Sequence, residues 1–149
     1  MGDRVSVDLA AIHEALAAQI AENVARDLSV YAFDPGESRR YPCVVVDAAD
    51  PWLSYHESFG DNALAELQLG VTVMVSGRYG DSLRALADYC SDGSGNNSSI
   101  RAAIETDRTW GGTVASCCVY RSHPPVVVAD NADALAVTFD VTAILQRGV

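Results

Sequence analysis

The residues 62–76, NALAELQLGVTVMVS, constrain the fold more than any other part of the chain. From Glu66 onward the side chains alternate. Leu67, Leu69, Val71, Val73 and Val75 share one parity; Glu66, Gln68, Gly70, Thr72 and Ser76 share the other, with Met74 as its one large apolar member. Successive side chains of a β-strand point to opposite faces, so the pattern predicts a long strand with one dry and one wet face. It returns over residues 134–144, where Leu135, Val137, Phe139 and Val141 alternate with Ala136, Thr138, Asp140 and Thr142. Two such strands require a sheet whose dry face is covered.

The chain supplies helices to cover it. Leu9, Ile12, Leu16, Ile20 and Val24 recur at steps of three and four, which predicts a helix over about 7–26, capped by Ser6 or Asp8. Its polar side would carry His13, Glu14, Gln19, Glu22 and Arg26. A second helix over 81–91, capped by Asp81 or Ser82, would share Leu83, Leu86, Ala87 and Cys90 on one face. A third, over 98–106, begins at Ser98 or Ser99 and places Arg101 four residues before Glu105 on its exposed side. The polar run 91–98 links these two helices, and all three are expected on one side of the sheet.

The remaining strands are shorter. Residues 28–33 and 42–48 flank the turn cluster Asp34-Pro35-Gly36-Glu37-Ser38 and read as a hairpin, the second half apolar enough for burial on both faces. Residues 48–61 hold Pro51, Trp52, Tyr55, His56 and Phe59 without a period; the stretch suits equally a contact surface and a loop folded onto its own sheet. Trp110-Gly111-Gly112 stops the third helix and residues 113–121 follow as a strand, with Val114 and Val119 its clearest apolar points. Pro124-Pro125 forces a turn, and residues 126–128 extend briefly before Asp130-Asn131. Together these elements predict an α+β single domain over 1–149: a mixed, mainly antiparallel sheet of about four to six strands with helices on one face.

Charge excludes one function class. Ten basic residues face twenty acidic ones, the net charge is −10, and the longest basic run is Arg39-Arg40. That argues against gripping nucleic acid, which needs Lys and Arg on phosphates, and suits a surface past which DNA slides. No apolar run reaches the roughly 20 residues that span a bilayer, and the acidic N-terminus does not read as a signal peptide. Cys43, Cys90, Cys117 and Cys118 fit no metal-binding spacing, and as strand neighbours Cys117 and Cys118 would face opposite ways; they read as small buried hydrophobes.

Catalytic signatures are equally thin. His13-Glu14 lacks the second histidine of a zinc-protease helix and reads as a solvated helix face. His56-Glu57 could pair a base with a carboxylate, but no nucleophile with a local signature accompanies it. His123 precedes the proline pair and reads as surface. The loop 92–98 fails as a calcium site because Ala103 stands where the closing acid belongs, and the glycines form no phosphate loop. No cofactor is expected.

The run IRAAIETDRTWGGTV, from Ile100 to Val114, resembles the short helix, Gly-Gly-Thr-Val stop and following strand of the tail terminator and tail completion proteins of long-tailed bacteriophages, with Trp110 where that family carries an aliphatic residue. The first helix with Leu9, Ile12 and Leu16, the segment Tyr55-His-Glu-Ser-Phe-Gly60 before the strand 64–75, and the closing strand resemble theirs in the same order, most nearly those of phages of actinobacteria. The resemblance implies a structural virion protein and no enzyme. It would assemble in the host cytoplasm as a homohexameric ring at the head-proximal end of the tail, on the major tail tube protein. The ring would end tube polymerisation, join the neck or head-completion protein, and let DNA pass without specific binding or any membrane contact.

A six-fold ring needs heterologous contacts, one patch meeting a different patch on the neighbour. The candidates are Trp52, Tyr55, His56 and Phe59 in the aromatic stretch, His123 to Val128 in the second loop with Pro124 and Pro125 among them, and Arg39 and Arg40 paired with a neighbour's acids. On the wet face Glu66, Gln68, Met74 and Asp140 would meet a neighbour or the DNA channel, and Gly70 would allow a close backbone approach. Two other readings stand beside this one: another head-tail joining protein, or a small enzyme using His56 and Glu57. A third, an adaptor that binds a folded partner along a sheet edge, depends on which strand lies at the edge.

Overall fold

The computed structural model describes residues 8–24, 27–55, 64–77, 79–91 and 98–146. Strands β3 (Leu64–Ser76) and β6 (Asn131–Gln146) pair antiparallel along the whole of β3, Leu64 opposite Gln146 and Ser76 opposite Ala134. Their dry faces meet in register: Leu69 lies opposite Val141, Val71 opposite Phe139 and Val73 opposite Val137, each at most 4% exposed. The alternation fixes this register, because a slip of one residue would turn every one of these side chains to the other face.

Around this pair the sheet runs β1 (Ser29–Tyr31), β2 (Cys43–Tyr55), β3, β6, β4 (Ser116–Ser122), and β5 (Val126–Val128) pairs with β6 beyond the end of β4. Helices α1 (Leu9–Asn23), α2 (Tyr79–Cys90) and α3 (Ile100–Glu105) contribute to the same core as the dry faces of β3 and β6. The α+β architecture, with a mainly antiparallel sheet of six strands, is the one the sequence predicts. Asp8 caps α1, its carboxylate accepting the Ala11 N–H at 3.1 Å, and Ser99 caps α3 through the Ala102 N–H at the same distance. Helix α2 starts earlier than expected. Asp81 therefore sits in its first turn, and Ser82 lies buried inside the helix.

Three expectations change. The strands β1 and β2 run parallel, not as a hairpin: Ser29 pairs with Cys43 and Tyr31 with Val45. The turn cluster is part of a longer return, in which Gly36–Ser38 forms a short 3-10 turn. Arg39 organises it, binding Asp34 at 2.6 Å and Asp130 at 2.7 Å. The aromatic stretch after Ala48 is not irregular as far as Tyr55; it continues β2. Pairing with β3 lapses between Ala48 (opposite Leu69) and Leu53 (opposite Leu67), around Pro51, which has no N–H to give. Residues 56–61 of that stretch lie outside the described residues.

The third change is His13, which does not line a solvated face. It is 2% exposed, its Nδ1 donates to the Ala32 carbonyl at 2.9 Å, and its ring stacks on Phe33 with centroids 4.7 Å apart. Leu9, His13, Leu16 and Ile20 are themselves spaced by four, three and four, so the buried stripe is one residue broader than the aliphatic side chains alone suggest.

The Trp110 stop is a tight turn. Trp110, Gly111 and Gly112 all have positive φ (47°, 73° and 86°), which costs glycine little and tryptophan more. Burial holds Trp110 there: it is 2% exposed and its Nε1 donates to the Ile104 carbonyl at 3.1 Å. Asp107 ties the same turn by accepting from the Thr109 and Gly111 amides at 3.0 and 2.9 Å.

Candidate functional site

The helices cover one face of the sheet, and the other is divided in two. At one end lies a second, small core of Cys43, Val45, Met74, Val128, Ala134 and Ala136, flanked by Tyr31 and Tyr41. Met74 is 8% exposed there, covered by its own chain, so the expected exposed methionine on a wet face is not found. Towards the other end the face becomes polar. Thr72 and Thr138 join hydroxyls at 2.9 Å, and Gln68 accepts at Oε1 from Thr142 at 2.9 Å and from Tyr120 at 3.3 Å. A cavity of about 580 Å³ opens over these residues, walled by Asp50, Pro51 and Ser54 of β2 on one side and by Cys118, Tyr120 and Arg121 of β4 on the other.

A bulge places that second wall. Val119 pairs with Val141 and Arg121 with Asp140, so β4 carries one residue more than β6 between these points. An extra residue breaks the alternation, and Tyr120 and Arg121 both reach the open face. The Arg121 guanidinium lies 5.4 Å from the centre of the Tyr120 ring and donates to the Asp140 carboxylate, which His123 Nε2 also meets at 2.8 Å. Burial pushes the Asp140 pKa up, but the hydrogen bonds and positive charge from Arg121 and His123 outweigh it and hold the carboxyl below its ordinary value. Both partners come from its own chain and meet at Oδ2, so the group braces β4 against β6. His123 is thereby tied into the fold and is not the plain surface residue its sequence context suggests.

The other predicted residues separate into those the fold uses and those it presents. Arg39, 9% exposed, is held between Asp34 and Asp130, so its guanidinium is committed within its own chain and not to a neighbour's acids. Its bond lowers the Asp34 pKa against the opposing effect of burial. Arg40 is exposed, and its amide donates to the Tyr31 hydroxyl at 3.0 Å. Trp52 and Tyr55 stand out from β2, Glu66 and Gln68 are half-buried on the open face, and Pro124 and Pro125 are exposed. Gly70 lies between Asp47 and Asp140, and a Cβ there would sit 3.4 Å from the Thr138 methyl, a contact within its own chain. His56, Glu57 and Phe59 lie outside the described residues.

Sequence reasoning missed Phe33 and Tyr120, each at least half exposed, and Arg121, whereas the second-loop candidates Val126 and Val127 are more than half exposed. Of the missed residues, Arg121 left a signal: a lone cation at the end of a predicted strand. Cys117 and Cys118 do face opposite ways, Cys117 into the core and Cys118 onto the open face, where it is exposed and not a buried hydrophobe. Burial raises the thiol pKa of Cys43 and of Cys117 to about 11.

The sheet edges are guarded. Along β4 the Val119 N–H donates to Glu105 Oε2 at 3.0 Å and the Cys117 carbonyl accepts from Arg108 Nη1 at 3.2 Å. On the other side β1 covers β2 only from Cys43 to Val45, and the rest of that edge carries Asp47, Asp50 and Pro51. Charge, proline and side-chain capping are the devices by which edges avoid adding foreign strands. Among the described residues no His, Cys, Asp or Glu cluster is placed to hold a metal ion, and no helix is long and apolar enough to cross a membrane.

Fold and surface together define an α+β sheet protein with one face sealed by helices and the other partly open and polar, and with large apolar side chains exposed towards both edges. No family model matches the chain, and no curated protein matches it. Among solved structures it is similar to a chain described as "Virion of native gene transfer agent (GTA) particle", at 14% identity over 89% of this chain and 84% of that one, with a TM-score of 0.43.

Proposed function

We propose that this chain is a structural virion protein of a phage-like particle, a tail terminator that forms a hexameric ring at the head-proximal end of the tail tube. The observation that carries the reading is the distribution of its exposed apolar side chains. Phe33, Trp52 and Tyr55 (52, 39 and 66% exposed) lie on or beside β1 and β2, whereas Tyr120, Val126 and Val127 (50, 57 and 58%) lie on β4 and β5, at the opposite end of the strand order. Contiguous exposed apolar patches mark association surfaces, and two different patches at opposite ends suit the heterologous contacts of a ring. The order of motifs shared with tail terminator and tail completion proteins supports the same role. The net charge of −10 suits a lumen that does not hold DNA.

On this reading the polar face with Glu66 and Gln68 borders the channel or a neighbour, and the two flat sides of the ring meet the tail tube and the neck. Negative-stain microscopy of the purified protein, alone and with tail tubes, tests it. Six-fold rings capping one end of the tubes are the expected result. A protein that stays monomeric and never associates with tubes would refute the proposal.

A further inference from the structure

A groove of about 490 Å³ runs between α2 and the turn joining β4 to β5. Leu83 and Ala87 line it from the helix and Pro124 and Pro125 from the turn, with Val137 as part of its floor. The helix was expected to bury Leu83 and Ala87, but its buried side is Ser82, Leu86 and Tyr89. Leu83 and Ala87 are left at the surface facing two exposed prolines, an apolar groove with nothing of the described chain filling it.

At the other end of the sheet an aromatic knob stands ready. Phe33 lies flat on the buried His13 ring, 6° from parallel, and Trp52 meets the same ring edge-on at 6.0 Å. The His13 bond to the Ala32 carbonyl fixes the ring that both aromatics pack on. Such a knob is ordered before any partner arrives, which lowers the entropic cost of docking. Trp52 of the knob lies on β2 and Val137 of the groove on β6, with β3 between them, so the sheet holds knob and groove at least two strand spacings, roughly 10 Å, apart. No single copy can bring them together.

Charge differs between the two ends, although α2 itself exposes Asp81 and Asp88 beside Arg84. Beside the groove, Arg101 and Arg121 line an adjoining recess, with side chains 50 and 64% exposed. Their acidic partners Glu105 and Asp140 lie beneath them at 13 and 12%, so an approaching surface meets the cations first. Beside the knob, β2 exposes Asp47, the residue next in register to Phe33. In a chain of net charge −10, self-association needs this kind of local match to offset general repulsion.

We infer that the Phe33–Trp52 knob of one copy seats in the Leu83–Pro125 groove of the next, and that this head-to-tail contact is the repeating interface of the assembly. The inference rests on the proposed ring and adds the surfaces that build it. Single-sided variants read it by mass photometry, in solution and on tail tubes. Trp52→Ser and Phe33→Ser remove the knob, and Ala87→Glu blocks the groove with bulk and a charge that opposes Asp47. Ala87 is already exposed, so the last variant leaves the core intact; circular dichroism and thermal melting check that all three fold.

Each variant alone is expected to lose assembly, with the association weakened about 30-fold or more, the scale of losing one anchor side chain. Mixing a knob variant with Ala87→Glu leaves one working contact per pair. It should give two-chain species and no rings; a two-fold symmetric interface differs in the wild type, which would then stop at two chains. Folded variants that assemble like the wild type, or a mixture that stays monomeric, overturn the inference while leaving the proposed function standing. A wild-type protein that assembles neither in solution nor on tubes overturns both.

Discussion

Replacing Met74 by glutamate separates a residue that holds the fold from one that faces a partner. On the alternating pattern of β3, Met74 falls with the polar side chains, and an exposed methionine there would tolerate a charge. In the structure it is 8% exposed in the small core with Cys43, Val45, Val128, Ala134 and Ala136. Burying a methionine is worth about 1.5–3 kcal/mol. A carboxylate in its place adds an unpaired charge, or the cost of protonating it, for several kcal/mol more. With a total stability of about 5–15 kcal/mol for a domain of this kind, Met74→Glu should remove roughly half or more of it. Met74→Leu keeps the volume and should cost less than about 1.5 kcal/mol. Urea unfolding followed by tryptophan fluorescence measures both, since the buried Trp110 reports on the main core. A Met74→Glu protein within about 1 kcal/mol of the wild type would mean that the small core does not cover this side chain, and the division of the open face described above would be wrong.

Three further outcomes are expected. Trp110→Phe should cost about 1–3 kcal/mol by leaving the Ile104 carbonyl without its indole donor, and Trp110→Ala about 3–5 kcal/mol; denaturant titration checks the order of the two. Native protein treated with a thiol reagent near pH 8 should label Cys118 first, and Cys43 and Cys117 only after unfolding, because burial both covers these two and holds their pKa near 11; mass spectrometry of the labelled peptides decides. The Asp140 carboxyl has a lower pKa folded than its unfolded value of about 3.9. Its contribution is therefore complete above that value and is lost as pH falls through the folded pKa. Wild type should lose stability faster than Asp140→Asn below about pH 4, and parallel acid titrations of the two would contradict the brace.

Period-two alternation made β3 and β6 readable, and since their dry faces form the centre of the core, the fold class followed from them. The both-faces burial of Cys43–Val46 and the turn at Trp110 were legible for similarly local reasons: a run without alternation, and two glycines after an aromatic. What stayed hidden depends on partners distant in sequence. The return that lets β1 run parallel to β2 is tied by Arg39 to Asp130, 91 positions away. His13 is buried because Phe33 and Trp52 come to it, and Met74 because Val128 closes over it from β5. A bulge is also invisible to a period, since one extra residue at Tyr120 moves Arg121 onto the open face without altering the apolar pattern at Val119. The interaction surface was the less legible half for this reason. Its aromatic candidates were found by composition, whereas the groove needed the helix phase that exposes Leu83 and Ala87.

The guarded edges bear on how any assembly of this chain would be built. A sheet protein can grow by adding strands, and backbone hydrogen bonding would then hold its subunits together. Here Glu105 and Arg108 already occupy the outer groups of Val119 and Cys117, and Pro51 with its acidic neighbours interrupts the opposite edge. Adding a strand to β4 would have to displace two side-chain bonds, which makes the edge-binding adaptor the least supported of the readings. Contacts made by side chains are selective in a way that backbone pairing is not, since any extended segment can complete a sheet edge while only a matching surface fills a groove. Every basic residue of this chain is arginine, with no lysine at all. Arginine is favoured over lysine at interfaces because its planar, weakly hydrated head forms paired hydrogen bonds and stacks on aromatic rings. Arg121 beside Tyr120 already has this geometry. A chain that caps its strand edges while presenting large apolar side chains at both ends is arranged to recognise side chains, and in the proposed ring those side chains would belong to its own next copy.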